Sequence, residues 1–136
     1  MNTENKQALE LLRGIALSNE VLITLSQDLR TRPEVVRVLH SLEARKHPSG
    51  AALEGYVDAE LNNGKAICWW MDVYWKEEQW IIECSILLQT DEGQQVIKEF
   101  PEKTASSIEE FVNRLDEATR ELTSNTDIQR LLIYSS

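Results

Sequence analysis

The sequence predicts an α+β fold in which helices pack on an antiparallel sheet. Residues 66–90 hold all four tryptophans and are rich in aromatic and β-branched side chains. One short charged segment interrupts them, as in two long strands joined by a tight turn. Turn residues at 62–64 and 91–93 predict a further strand on each side. We therefore expect a four-stranded antiparallel meander with two N-terminal helices and a C-terminal helix packed on it, as a single domain over residues 1–136.

Two helices are predicted before the sheet. The first covers residues 5–29, where apolar residues recur at three- and four-residue spacing. Gly14 and the Ser18–Asn19 pair predict a kink or break in its middle. The second covers residues 33–46, with Pro33 in the first turn. Its inward side chains are Val35, Val36, Leu39 and Leu42.

The four strands are predicted at residues 52–61, 66–75, 80–90 and 94–100. A two-residue loop at Asn63–Gly64 would place the apolar sets of the first two strands on opposite faces. A three-residue loop with Gly64 in the left-handed region places them on one face, and we prefer it because it buries both sets. A three-residue loop at residues 91–93 would likewise align Val96 and Phe100 with two apolar residues of the third strand, Ile86 and Leu88.

The C-terminal helix is predicted to begin at Ser107, which forms a capping box with Glu110. An apolar stripe follows over about four turns. Residues Ile128 to Tyr134 then predict either a helical turn or a docked tail.

Composition limits the classes of partner. The net charge of −9 argues against general nucleic-acid binding, and we expect no nucleic-acid partner. Residues 51–136 carry a net charge of −10 and residues 1–50 a net charge of +1, so a partner of the acidic part would be basic. No signal peptide or membrane span is recognised, which predicts a cytoplasmic protein without a membrane partner. The two cysteines are expected to be free thiols.

The sheet has two predicted faces. The first face carries Trp69, Met71 and Val73 and is the more apolar, so the helices are expected on it. The second face carries aromatic residues interleaved with carboxylates, a pattern typical of interaction surfaces. Its predicted partner-binding residues are Tyr56, Trp70, Tyr74 and Ile81, with Asp58, Asp72 and Glu83 as a polar rim. Two alternatives stay open: the N-terminal helices cover this face, or it is an ordinary exposed surface.

Other candidate sites have weaker support in the sequence. Asp72 and Glu83 as cross-strand neighbours would allow a catalytic dyad. His40, Glu43 and His47 on one helical face would allow a metal site. Cys68 and Cys84 lie too far apart for a disulfide in any plausible register. We expect no catalytic residue, no metal and no cofactor. A basic patch near the predicted interhelical turn would allow nucleic-acid contact; its residues are Arg30, Arg32, Arg37, Arg45 and Lys46.

The element order, with residues Leu53–Leu61 (LEGYVDAEL) and Trp80–Cys84 (WIIEC), resembles an uncharacterised cyanobacterial family with a fold like the type III secretion chaperone group. Those chaperones place a helix before their last strands, whereas Asp91–Gly93 predicts a direct hairpin here. The resemblance implies a non-enzymatic chaperone-like or adaptor domain that binds a protein or peptide, often as a homodimer. The alternative is a small enzyme or ligand-binding domain with a pocket between helices and sheet.

Overall fold

The computed structural model describes residues 2–48 and 50–133, without the side chains of His47 and Ala51. It has an α+β fold with an antiparallel sheet, as the sequence predicts. In chain order the elements are α1 (Thr3–Leu29), β1 (Val35–His47), β2 (Gly50–Leu61), β3 (Ala66–Lys76), β4 (Gln79–Thr90), β5 (Gly93–Glu99), β6 (Lys103–Ala105), α2 (Ile108–Thr123) and α3 (Ile128–Ile133). The sheet order is β1-β2-β3-β4-β5, and the short β6 pairs with β4.

The helix predicted at residues 33–46 is wrong, because this segment forms strand β1. It pairs with β2 along its length, from Val35 opposite Leu61 to His47 opposite Gly50. Its apolar spacing fits a helix, but Val35, Val36 and Val38 are β-branched and favour a strand. Because His47 pairs with Gly50, β1 and β2 form a hairpin where the end of a helix was predicted.

Helix α1 is continuous over 27 residues, and the predicted break in its middle is absent. Gly14 and Ser18, two of the residues on which the predicted break was based, contact α2 instead. A Cβ atom on Gly14 would lie 2.9 Å from a methyl group of Val112, so glycine permits the close approach of the two helices. Ser18 is buried, and its hydroxyl accepts a hydrogen bond from Thr119 at 3.1 Å.

The predicted register between β2 and β3 is confirmed. Gly64 has a φ of +86°. The Leu61 N–H donates to the Lys65 carbonyl at 2.8 Å, so these two residues close a three-residue loop. Val57 therefore lies opposite Trp69 on the first face. The next connection is a two-residue turn in which Glu77 and Glu78 have φ values of +53° and +63°, the left-handed region that a type I′ turn requires.

The predicted register between β4 and β5 is wrong. Thr90 pairs with Gly93, so the loop has two residues, and Val96 lies opposite Leu87 on the second face. A bulge then makes Ile97 the unpaired residue, which turns its side chain toward the core. Strand β6, whose three residues pair with the start of β4, was not predicted from the sequence.

The hydrophobic core fills the space between the helices and the first face. Trp69 is fully buried, as predicted, and its indole N–H donates to the Asn125 carbonyl at 2.8 Å. Trp80 is only partly buried; its ring packs on the same face, 4.7 Å from the ring of Phe111. Ser107 caps α2 by accepting from the Glu110 N–H at 3.1 Å, as the capping box predicts.

The last described element is α3, which confirms a helical turn in the predicted terminal segment; Tyr134, the last residue of that segment, lies outside the described residues. None of the helices in the described ranges has the length and apolar character needed to cross a bilayer.

Candidate functional site on the second face of the sheet

The second face is not covered by the long helices. α1 packs over β1 and β2 and α2 over β3, β4 and β6, and the two helices contact each other on the same side of the sheet. The alternative in which the N-terminal helices cover the second face is therefore wrong. One predicted N-terminal helix became a strand, which leaves a single N-terminal helix and places it on the first face.

An aromatic groove lies in the middle of this face. Tyr56 on β2 and Trp70 on β3 are directly opposite each other across the two strands, an arrangement that stabilises a sheet and presents two rings side by side. The groove has a volume of about 610 Å³. Its lining residues are Glu54, Tyr56, Cys68, Trp70, Ser85, Leu87, Gln94, Val96 and Glu99. Two carboxylates thus flank an aromatic and aliphatic floor.

Arg45 connects β1 to the acidic residues of this face. Its Nη2 donates to Asp72 Oδ1 at 2.9 Å, and its Nε lies 3.0 Å from Glu54 Oε2. The Asp72 side chain is only 7% exposed, so this ion pair compensates a carboxylate that is almost removed from water. The predicted basic patch is correspondingly divided, since Arg45 pairs with Asp72 while Arg32 pairs with Asp28 at 2.8 Å.

Asp72 and Glu83 are direct cross-strand neighbours, as predicted, but they do not act as a pair. Asp72 is bonded to Arg45, whereas Glu83 accepts a hydrogen bond of 2.7 Å from the hydroxyl of Tyr74. This bond, with burial and the nearby carboxylates, raises the pKa of Tyr74 to about 12. The two carboxylates have separate partners, so the geometry gives no reason for them to share a proton.

Asp58 differs from the other acidic residues of the second face. Its Oδ1 is removed from solvent and has no hydrogen-bond partner among the described residues. Burial, with a smaller effect from Glu60, raises the pKa of Asp58 above its ordinary value of 3.8. A carboxylate held in this state has unused capacity to accept a hydrogen bond or to face a cation.

The cysteines are not suited to nucleophilic chemistry. Cys68 lies opposite Leu87 and Cys84 opposite Met71, and both thiols are free. Burial, followed by the charges of Asp58 and Glu54, raises the pKa of the Cys68 thiol to about 12. Burial also raises the pKa of the Cys84 thiol to about 12. Both therefore stay protonated at neutral pH.

The helical metal site proposed for His40, Glu43 and His47 loses its basis, because these residues lie on strand β1. His40 and Glu43 are three residues apart and point to opposite faces of the sheet. The His47 side chain is outside the described residues. Among the residues that the structure describes, no group of three histidine, cysteine or acidic side chains is arranged to hold a metal ion.

The seven predicted partner-binding residues separate into three groups. Tyr56 and Trp70 line the groove, whereas Tyr74, Asp58 and Glu83 are half-buried and lie outside its lining. Ile81 and Asp72, by contrast, are only 6% and 5% exposed, so neither offers much surface to a partner. Ile81 lies opposite Thr104 of β6, and Asp72 is bonded to Arg45. Their assignment as direct contact residues stays a prediction, with little accessible surface to support it.

Seven groove residues were absent from the predicted set: Glu54, Cys68, Ser85, Leu87, Gln94, Val96 and Glu99. The alternation of β2 and β4 already placed Glu54 and Leu87 on the second face, so strand periodicity was the signal for both. Val96 was assigned to the first face by the wrong β4–β5 register.

Comparison of the chain with family models, with curated proteins and with solved structures gave no match, so the resemblance to a chaperone-like family stays a prediction.

Proposed function

We propose that this chain is a non-enzymatic protein-binding domain, chaperone-like or adaptor-like, that receives a basic segment of a partner protein on the second face of its sheet. The observation that carries the proposal is the aromatic groove, in which the Tyr56–Trp70 pair lies between Glu54 and Glu99. Grouped aromatic residues left accessible on a sheet are typical of interaction surfaces.

The chemistry of the groove favours lysine or arginine side chains. Their apolar stems can lie against aromatic and aliphatic surfaces while the charged ends reach carboxylates at the rim. Asp58 adds an acceptor near this surface, since its Oδ1 is removed from solvent and has no hydrogen-bond partner among the described residues. Charge complementarity of this kind contributes selectivity and association rate more than affinity, and salt weakens it.

A ligand pocket between the helices and the sheet has less support. That space is occupied by fully buried side chains, among them Trp69, Phe111 and Leu115. The cysteine thiols stay protonated, and the two carboxylates predicted as a dyad have separate partners. We therefore do not put the enzyme alternative forward.

The test uses fluorescence anisotropy with labelled peptides rich in lysine and arginine and with acidic peptides of equal length. We expect the basic peptides alone to bind, with an affinity that falls as salt is added. Trp70→Ala should reduce the affinity at least tenfold. This corresponds to a loss of binding free energy of about 1.4 kcal/mol or more, as expected for an aromatic contact at the centre of an interface.

Matched controls come from the same chain. Trp75 lies on the same strand, points to the first face and is 40% exposed, so Trp75→Ala should leave peptide affinity unchanged. Glu99→Gln should reduce the salt dependence, whereas Glu92→Gln, in the β4–β5 turn, should not. Equal loss in both tryptophan variants, or no binding of any basic peptide, would contradict the proposal.

A further inference from the structure

Strand β1 is an edge strand of the sheet, with a bulge near its start between Val35 and Arg37. It is 13 residues long and lies at the end of the strand order, paired only with β2 among the described elements. Hydrogen-bonded and non-hydrogen-bonded pairs alternate along an antiparallel ladder, so every second residue of β1 directs its N–H and C=O away from β2. Arg30 donates from Nη2 to the Val38 carbonyl at 3.4 Å, which agrees with Val38 and the other even-numbered residues facing outward.

The two edges of the sheet differ in length, since β1 has 13 residues and β5 has seven, and short edge strands are poor templates for strand addition. Both edges carry exposed apolar side chains: Val96 on β5 is 55% exposed, whereas on β1 Val36 is 68% and Leu39 is 40% exposed. Long edges with exposed apolar side chains are surfaces on which another strand pairs.

We propose that β1 pairs antiparallel with β1 of a second copy of this chain, with His40 at the two-fold axis, to form a homodimer with one continuous sheet. This interface is separate from the aromatic groove and does not depend on the proposed peptide binding. Pairing residues 38 with 42 and 40 with 40 brings together residues whose backbone groups face outward.

Charge singles out this register. With His40 on the axis, Arg37 lies opposite Glu43 of the second copy, twice by symmetry. Moving the axis to Ser41 places Arg37 opposite Arg45, which is repulsive. Moving it to Leu39 places Arg37 opposite Ser41 and loses the attraction.

The charges that would form these pairs are available. Arg37 and Glu43 are exposed, and neither of them has an ion-pair partner within the part of the chain that the structure describes. Arg45 is already paired with Asp72 on the second face, so it is not available for the edge. Arg37 and Glu43, which have opposite charges, are thus placed symmetrically about residue 40.

The first test is a charge exchange measured by sedimentation equilibrium. Arg37→Glu and Glu43→Arg each replace two attractions with two repulsions, and each should raise the dimer dissociation constant roughly tenfold or more. The double variant Arg37→Glu/Glu43→Arg restores opposite charges and should recover the wild-type constant within a few-fold. The control is Arg13→Glu, which makes the same change of charge as Arg37→Glu at an exposed position of α1. It should not change the dimer dissociation constant.

The second test measures the register directly. His40→Cys places two thiols at a hydrogen-bonded pair with a Cα separation of about 5.5 Å, within the range of a disulfide, and should give a cross-linked dimer on mild oxidation. In the Ser41→Cys variant the two Cα atoms would be roughly 8 Å apart, so this variant should not form a cross-linked dimer. Wild type, with Cys68 and Cys84, gives the background. A wild type that stays monomeric, a double variant that fails to recover, or equal cross-linking at residues 40 and 41 would each overturn the proposal.

Discussion

At the scale of single residues, Gly64 allows a test in which only the backbone is strained. Its φ is +86°, and a Cβ atom placed there would have no heavy atom within 4 Å, so a larger side chain meets no steric obstacle. Gly64→Val should nevertheless lower the free energy of unfolding by more than about 1 kcal/mol, because β-branched residues are strained in the left-handed region.

Urea denaturation measures this effect, and Gly64→Asn is its control. Asparagine occupies the left-handed region more readily, so its cost should be clearly smaller than that of valine. If valine and asparagine cost the same, the positive φ does not determine the loop.

Gly64 also illustrates which backbone conformations can be read from sequence. Glycine readily adopts a positive φ, so the pair Asn63–Gly64 indicated a turn. The length of the loop and the strand register then followed from the alternation of the flanking strands. Glu77 and Glu78 also have positive φ values, but glutamate has no preference for that region. The two long strands impose the turn on them, and only the pairing of β3 with β4 reveals it.

At the scale of elements, the contact between α1 and α2 depends on Gly14. Alanine normally stabilises a helix interior by about 1 kcal/mol relative to glycine. Here its methyl group would lie 2.9–3.3 Å from the side chain of Val112, which has little rotamer freedom in a helix. We expect Gly14→Ala to lower the free energy of unfolding by about 1 kcal/mol despite the gain in helix propensity.

A double-mutant cycle with Val112→Ala separates the two effects. Removing the methyl groups of Val112 makes room at residue 14, so Gly14→Ala should be neutral or stabilising in that background, with a coupling of about 1 kcal/mol or more. Additive effects of the two substitutions would show that the helices do not meet at this point.

The elements were predicted best where the sequence carries one periodicity. The Trp-rich hairpin alternates over both strands, and the apolar stripe of α2 has only helical spacing, so both were found with nearly the observed limits. Residues 33–46 are compatible with both kinds of element. The spacing of Val35, Val36, Leu39 and Leu42 fits a helix, whereas the β-branched residues favour a strand. Pairing with β2 decides between them, and local sequence does not contain that information.

At the scale of the whole molecule, the same error concealed the relation between β1 and the candidate site. With β1 predicted as a helix, neither the Arg45–Asp72 ion pair nor the free strand edge was foreseeable. Tyr56 and Trp70 were predictable, because each lies on a strand whose alternation is clear. Val96 was not, because the β4–β5 loop is one residue shorter than predicted and this places Val96 on the second face.

Asp58 is where stability and binding should have opposite requirements. Burial raises its pKa in the folded protein, so the protonated form is favoured on folding. The stability contribution of Asp58 is therefore fully present below its ordinary value of 3.8 and is lost as pH rises through the raised pKa. Asp58→Asn, which carries no charge, should raise the thermal midpoint at pH 7, and this gain should shrink as pH falls toward 4.

The same substitution should weaken the binding of basic peptides. In the wild type, a positively charged side chain of the peptide would relieve the cost of the buried carboxylate. The neutral amide of Asp58→Asn offers no charge to pair with that side chain. Thermal unfolding across pH and peptide anisotropy at pH 7 measure the two effects on one variant. Asp91→Asn, in the exposed β4–β5 turn, should change neither. A loss of stability at pH 7 would mean that Asp58 stabilises the fold through its charge. Unchanged peptide binding would place the partner elsewhere on the second face. A stabilised variant that binds less well is the result expected of a residue retained for recognition.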